Sequence, residues 1–399
     1  MKRTQCPICT STDCLPFLTY KGAIVHQQLL VRTREEADRP QRGDIELAFC
    51  RSCGAVWNTL FDPGLLKYGG PYEASQSISP AFWRYMAGLA KRLVRDYDID
   101  HKRIIEIGSG DGRFLQLLCQ MGDNSGAGFE PSWEGSDFLD ASRKVQIIRD
   151  YYSDRYADSA ADLVCCRHVL EHIQNPTLFL HDMLSLSKSS STVFFFEVPN
   201  FNWSLREGAF WDVYYEHFLY FASVSLRFLF SRSGFRILRM RNGFGGQYIC
   251  IDAKGEMGVR RRLAPDRRTR AEVRALFSRV TAFSIYYQRL IETTRRRLSH
   301  IARRSNLAVW GAGAKTVTFL NLLDVGRDQI KYVVDVNPRK WGAFIPGTGQ
   351  QIVSPESLKK RSPEIVLLMN PRYRPEIKST MKRIGVTAKV LTIEREGLS

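Results

Sequence analysis

Ile104-Ile-Glu-Ile-Gly-Ser-Gly-Asp-Gly-Arg-Phe114 is the stretch that decides the fold. An apolar run of strand length passes straight into three glycines and then into a helical pattern that begins at Phe114 to Cys119. Glycines let the backbone approach a ligand closely, and the free N–H groups of a following helix can donate to it. Alone, such a loop is ambiguous. A dinucleotide site places its third glycine three positions after the second. Here it stands two after, giving G-x-G-x-G. The next strand, Gly126 to Glu130, ends on a carboxylate suited to ribose hydroxyls.

Outward from this loop, strands are predicted at Arg103 to Ile107, Val145 to Ile148, Asp162 to Cys166 and Thr192 to Pro199. Helical segments alternate with them, and a further helix over Pro80 to Asp96 precedes them, apolar at 82, 83, 86, 89, 93 and 94. That alternation predicts an α/β fold with a doubly wound parallel sheet. A second strand–glycine–helix unit begins at Asn306 to Trp310, with strands at Tyr332 to Asp335 and Ile365 to Met369, so a smaller Rossmann-like domain is expected at the C-terminus. Between the two lies Arg260 to Arg304, which reads as a long helix interrupted near Pro265. It holds fourteen arginines against three acids (Asp266, Glu272, Glu292), a local charge of +11 within a formal net charge of +17. A basic helix can attract phosphates or a membrane surface, or be an exposed, solvated face.

The nine cysteines include two close pairs, Cys6-Pro-Ile-Cys9 and Cys50-Arg-Ser-Cys53. Their spacing is that of zinc-ribbon or treble-clef knuckles, and four thiolates would close a structural Zn²⁺ site. Coincidental or redox cysteines are the alternative, and Cys14 competes for a ligand position. The forty residues between the pairs should carry structure of their own, with short strands at Ile24 to Val31 and Ile45 to Phe49. Cys119, Cys165, Cys166 and Cys250 sit in apolar patterns and are expected in the core. No apolar run approaches the ~20 residues that span a bilayer. The first residues lack the apolar segment of an export signal. A reducing, cytoplasmic location is the expectation.

Just beyond the fifth strand lies Trp211-Asp-Val-Tyr214-Tyr215-Glu216-His217-Phe218, at the face where open α/β sheets bind ligands. A neutral imidazole suits general-base work near neutral pH. A carboxylate can orient it, and a phenol can donate to a developing oxyanion. Adjacent residues point apart, however, so Tyr214, Glu216 and His217 converge only if the loop turns. A structural histidine beside an aromatic core is the other reading.

Glu106, the G-x-G-x-G loop and Glu130 together resemble motifs I and II of class I S-adenosylmethionine (SAM) methyltransferases. Asp162-Leu-Val-Cys-Cys-Arg-His-Val-Leu-Glu-His172-Ile resembles the exit of that class's fourth strand. A NAD-type Rossmann domain is the alternative. With the zinc knuckles, the Tyr-x-Glu-His cluster and the C-terminal segments Gly311-Ala-Gly-Ala-Lys315-Thr, Val334-Asp-Val-Asn-Pro338-Arg-Lys340-Trp-Gly342 and Ile345-Pro-Gly-Thr348, the chain resembles bacterial sugar C-methyltransferases. Those enzymes act on nucleotide-linked keto-deoxysugars. The division this implies is a zinc-binding domain over 1–70, a SAM methyltransferase domain over 71–258, an Arg-rich helical connector over 259–304 and an α/β domain over 305–399.

The resemblance also implies roles. Glu106, Gly108, Gly110, Glu130 and Arg167 would hold SAM. His217 would be the base, beside Tyr214 and Glu216, and joined by His172 and by Tyr72 of Pro71-Tyr72-Glu-Ala-Ser75. The acidic carbon of a 4-keto-6-deoxysugar, C3, would attack the SAM methyl group through an enolate, with Tyr214 or His172 stabilising the enolate oxygen. Lys315 would contact a phosphate of the nucleotide sugar, or be a solvated residue at a helix start. Three departures put the identity of the sugar in question more than the reaction class. Tyr215 stands where His is common, Gly245-Gly246-Gln247 replaces Gly-Gly-Ser, and Asn370-Pro371-Arg372-Tyr373 replaces a Trp-Asn segment. Rival readings are an O- or N-methyltransferase and, more distantly, a nucleic-acid binder, for which no module is legible.

Overall fold

The computed structural model describes residues 4–66, 72–135, 137, 142–156, 160–256, 264–394 and 397–398. At the N-terminus β1 (Cys14–Ile24) pairs antiparallel with β2 (Arg42–Cys50), and β2 pairs with β3 (Val56–Asn58). Since β2 ends on Cys50, the sheet itself delivers the second knuckle. The predicted strand over Ile24 to Val31 is not formed. β1 stops at Ile24, and beyond it the chain makes only single bridges, Leu29 to Tyr72 and Val31 to Phe344. Its apolar side chains, such as the fully buried Val25, are covered by tertiary packing instead of lying on a sheet face.

The central sheet contains the expected strands: β4 (Arg103–Ile107), β5 (Ser125–Phe129), β6 (Val145–Ile148), β7 (Leu163–Arg167) and β8 (Val193–Pro199). A two-residue strand, β9 (Leu219–Tyr220), returns to pair with β3 and so fastens the two domains together. β10 (Phe235–Gly243) and β11 (Tyr248–Gly255) complete a seven-stranded sheet in the order β10-β11-β8-β7-β4-β5-β6. Six strands run one way and β11 runs against them, a departure from the all-parallel expectation. β10 escapes a hydrophobicity search because it is an edge strand rich in arginine. The chain leaves β4 toward β5 and β6 and comes back on its other side at β7, so a crevice opens at the carboxyl end of β4. The helix Pro80–Tyr97, capped by Ser79, covers one face with Phe82, Met86, Leu89, Ala90 and Leu93. From the same helix, Arg92 forms a buried ion pair with Asp252 of β11.

Arg267–Ala302 is one uninterrupted helix of 36 residues, with Asp266 accepting from Thr269 N at 2.7 Å as its cap. Pro265 therefore lies before the helix, not within it, and residues 257–263 lie outside the described residues. Val273, Leu276, Val280, Phe283, Tyr287, Ile291 and Leu298 form one buried stripe at helical spacing. The stripe faces the N-terminal sheet, where Ser284 Oγ donates to the carbonyl of Phe17. The C-terminal sheet comprises β12 (Leu307–Trp310), β13 (Tyr332–Val334), β14 (Gln351–Val353), β15 (Ile365–Leu368), β16 (Lys389–Glu394) and β17 (Gly397–Leu398). Its order is β14-β13-β12-β15-β16-β17, parallel but for β17. Gln247, at the carboxyl edge of the central sheet, and Asn370, beyond β15, exchange two amide hydrogen bonds of 3.0 Å. The carboxyl edges of the parallel strands in the two α/β domains thus face each other. Among the described residues no helix is long and apolar enough to cross a membrane.

Candidate active site and metal centre

The sulfur atoms of Cys6, Cys9, Cys50 and Cys53 all lie within 4.8 Å of one another, with Cys6–Cys53 at 3.6 Å and Cys9–Cys50 at 3.5 Å. Three of the four are fully buried. Four thiols at this separation can close on a tetrahedral metal ion. Cys14 stands apart from this set: its thiol donates to the carbonyl of Ser11, and burial, with the charge of Cys50 beside it, pushes its pKa up to about 12.

The glycine loop forms the floor of the second site. Gly108, Gly110 and Gly112 all have left-handed backbones, at φ of 68°, 54° and 70°. A Cβ on Gly108 would lie 2.2 Å from Val169 Cγ2, whereas one on Gly110 would meet nothing within 4 Å. Gly110 therefore faces open space. Glu130 braces the loop by accepting from Gly110 N at 3.0 Å and from Ser132 Oγ at 2.6 Å. Beneath the loop, Glu106 is buried and its Oε2 has no hydrogen-bond partner, nor has Ser109 Oγ. Burial lifts the Glu106 carboxyl to about 8, against the pull of Arg167. An open cradle over two orphaned polar atoms fits a polar cofactor such as SAM. Asp111 accepts from Ser75 and Ser77, each at 2.7 Å, and so ties the segment after Tyr72 to the loop.

Arg167, expected at the cofactor, has a structural partner. Its guanidinium lies 4.2 Å from the Phe114 ring and donates to Glu197 at 3.0 Å. Glu197 also accepts from Tyr85 and makes a charge contact of 2.9 Å with His168 Nε2. Burial opposes charge on His168, but Glu171 and Glu197 outweigh it and raise its pKa to about 9. Glu171, Glu197, His168 and Asp212 are not among the site residues expected from the sequence. Glu171 and His168 lay in view, inside the quoted exit of the fourth strand.

The loop after β8 does turn, and it divides Tyr214, Glu216 and His217 between two sides. Glu216 points to the N-terminal side, where it accepts from Tyr72 Oη at 2.8 Å and from Gln27 N at 3.3 Å. Burial raises its pKa. Tyr215 points the same way and stacks on Phe61 at 5.7 Å. His217 points to the other side, edge-on to Tyr214 at 4.9 Å and to His172 at 5.1 Å. Two acids act on it through space, Glu171 and Asp212, and an oxygen of Glu171 lies within 4.8 Å of nitrogens of both histidines while its Oε2 is buried without a hydrogen bond. Burial, and then the charge of His172, lower the His217 pKa to about 3. The ring is neutral at any physiological pH, and among the described residues neither ring nitrogen is hydrogen-bonded. His172 Nδ1 is fixed on the Glu216 carbonyl at 2.7 Å.

Lys315, in the first turn of the helix Ala314–Leu322 that follows β12, reaches across from the C-terminal domain to this cluster. Its Nζ lies 2.7 Å from Asp212 Oδ1 and 4.8 Å from the Trp203 ring centroid. Asp212 also accepts from Tyr214 Oη at 2.5 Å and from Ser204 Oγ at 3.1 Å. Burial favours the neutral acid, yet Lys315 and Tyr214 hold the Asp212 carboxyl below its ordinary range.

Residues 82–239 match the family model of a methyltransferase domain, and residues 248–390 that of a C-methyltransferase C-terminal domain. Over 393 residues the chain is 24% identical to C-methyltransferase NovU of Streptomyces niveus, covering 94% of this chain and 91% of that one. Among solved structures, 1,6-didemethyltoxoflavin-N1-methyltransferase of Burkholderia thailandensis is 12% identical with a TM-score of 0.35, over 44% of this chain and 80% of its own. Magnesium protoporphyrin IX methyltransferase of Synechocystis PCC 6803 is 14% identical with a TM-score of 0.35, over 44% and 84%.

Proposed function

We propose that this SAM-dependent methyltransferase is a C-methyltransferase that methylates C3 of a nucleotide-linked 4-keto-6-deoxysugar, in the making of a branched sugar. The observation that carries this reading is His217, a neutral imidazole set among Glu171, His172 and Tyr214 at the carboxyl edge of the central sheet, with neither nitrogen hydrogen-bonded among the described residues. A carbon beside a ketone is acidic because its anion delocalises onto the carbonyl oxygen. His217 takes the proton from that carbon, and Glu171 stabilises the imidazolium that results. Its low resting pKa keeps the base unprotonated, and the imidazolium is formed only as the enolate's opposite charge appears beside it. SAM, bound by Gly108, Gly110 and Glu130, supplies a sulfonium methyl group for the carbon's electron pair. Glu216 and Tyr72 shape the opposite wall and, with Gln27, join it to the N-terminal domain.

The nucleotide end of the substrate falls to the C-terminal domain in this reading. Support comes from Gly311, whose φ is 100° and whose added Cβ would meet nothing within 4 Å, a second open glycine loop ahead of a helix, Ala314–Leu322. The Cys6, Cys9, Cys50 and Cys53 centre holds Zn²⁺, which stabilises the fold and has no open position for chemistry. Transfer to oxygen or nitrogen would need the same SAM cradle, but nothing in it would call for a C-methyltransferase C-terminal domain. Methyl-labelled SAM and a TDP-4-keto-6-deoxyhexose, followed by carbon NMR of the product, test the reading. Label on a ring carbon is expected; label on oxygen or nitrogen would discard the enolate chemistry.

A further inference from the structure

The hydroxyl protons around His217 are already committed within the protein. Tyr72 donates to Glu216, Tyr214 to Asp212, and Tyr220 to the carbonyl of Tyr214 at 2.7 Å. His172 Nδ1 is held on the Glu216 carbonyl. None of these is left to donate to an oxygen that gains charge as His217 removes a proton. Such an oxygen is where a fixed donor accelerates a reaction most. Lys315 has protons to offer: an ammonium carries three N–H donors and no acceptor, and one of them goes to Asp212. The side chain is 24% exposed at the edge of the cluster, whereas its partner Asp212 is only 13% exposed.

We propose that Lys315 is a catalytic residue that donates to the carbonyl oxygen of the methyl acceptor, with Asp212 as the positioning residue that holds the ammonium and keeps the Tyr214 proton turned away. The inference rests on the His217 cluster being the methyl-transfer site, and it replaces the phosphate contact expected of Lys315. As His217 takes the proton from carbon, the C–H electron pair becomes the enolate double bond and the carbonyl pair moves onto oxygen. Lys315 hydrogen-bonds that oxygen and keeps its own proton. When the carbonyl re-forms, the carbon's pair goes to the SAM methyl group and the electrons of the broken C–S bond stay on sulfur.

The test uses the full chain with Lys315→Met, Lys315→Arg and Asp212→Asn, checked for SAM binding by calorimetry. It reads kcat and KM for a TDP-4-keto-6-deoxyhexose, together with deuterium exchange at its C3 without SAM. Lys315→Met should lose about 10²-fold in kcat and in exchange rate, with KM nearly unchanged. Lys315→Arg should recover part of both, and Asp212→Asn should fall between. A tenfold rise in KM at unchanged kcat would make Lys315 a phosphate contact and overturn the proposal. If Lys315→Met fails to bind SAM, Lys315→Arg and Asp212→Asn decide by the same kcat and KM split. The position of label in the wild-type product reports separately on the C3 reading.

Discussion

The imidazole rings of His172 and His217 meet edge to face, their centroids 5.1 Å apart and their planes at 86°. Burial, and after it the charge of His172, lower the His217 pKa to about 3. His168, one turn of chain before His172, is moved the other way, to about 9, by Glu171 and Glu197. The two histidines therefore give opposite slopes of stability with pH. Unfolded, each titrates near ~6.5. For His217 the unfolded chain binds the proton first, so stability is lost progressively as pH falls from about 6.5 toward 3. For His168 the folded state binds it first, so its contribution is full below about 6.5 and lost as pH rises through 9. Urea midpoints measured from pH 5 to 9 should fall on both sides. His168→Gln should flatten the alkaline side alone; an unchanged alkaline slope in that variant would refute the assignment.

Removing the proposed base, His217, and removing the acid proposed to support it, Glu171, should be distinguishable. His217→Ala should abolish transfer while SAM affinity stays within about twofold of wild type. Glu171→Gln leaves the imidazole in place but withdraws the buried charge beside it, worth about 1.5–3 kcal/mol, or roughly 10- to 150-fold in kcat. Steady-state kinetics with calorimetric SAM binding read both. Glu216→Gln should act mainly through Tyr72 and Gln27, so a larger kcat loss there than in Glu171→Gln would reverse the two acids' roles.

The sequence showed the kinds of residue at the site but not their pairing. The apolar strand before the glycine loop, the acid after β5 and the two cysteine pairs are each local patterns, and each folds as its spacing implies. Ile24 to Val31 has the same alternation as a strand, but no local pattern can tell side chains buried by a sheet face from side chains buried by a distant domain. Glu216 adjoins His217 in sequence, and for that reason faces away from it. The acid that faces His217, Glu171, comes from a separate crossover of the sheet. Asp212 meets Lys315 only because the two α/β domains present the carboxyl edges of their parallel strands to each other. Such partnerships depend on topology that no motif encodes.

The cysteine centre should contain one zinc ion per chain, measurable by mass spectrometry of the purified protein. Cys50→Ser should remove it and lower the thermal midpoint, since a structural metal contributes its binding free energy to folding. β2 ends on Cys50 and β3 is held between β2 and β9. The loss should therefore spread to the methyltransferase domain and lower activity as well. Cys14→Ser should keep the metal, because its thiol donates to a carbonyl instead of joining the cluster. Metal loss from Cys14→Ser would contradict this arrangement.

Two glycines of one loop should respond to the same substitution in different ways. Both have left-handed backbones, where an added Cβ costs about 1–2 kcal/mol. At Gly108 the new carbon would also collide with Val169, 2.2 Å away, so Gly108→Ala must move the loop or the exit of β7. A fall in urea midpoint and in SAM affinity is expected together. At Gly110 nothing lies within 4 Å, so the methyl group of Gly110→Ala projects into the open cradle. That variant should show only the backbone cost in unfolding, but a fall of tenfold or more in SAM affinity by calorimetry. The open space above Gly110 is then the cofactor's. Wild-type affinity in Gly110→Ala would mean that SAM lies elsewhere on the sheet.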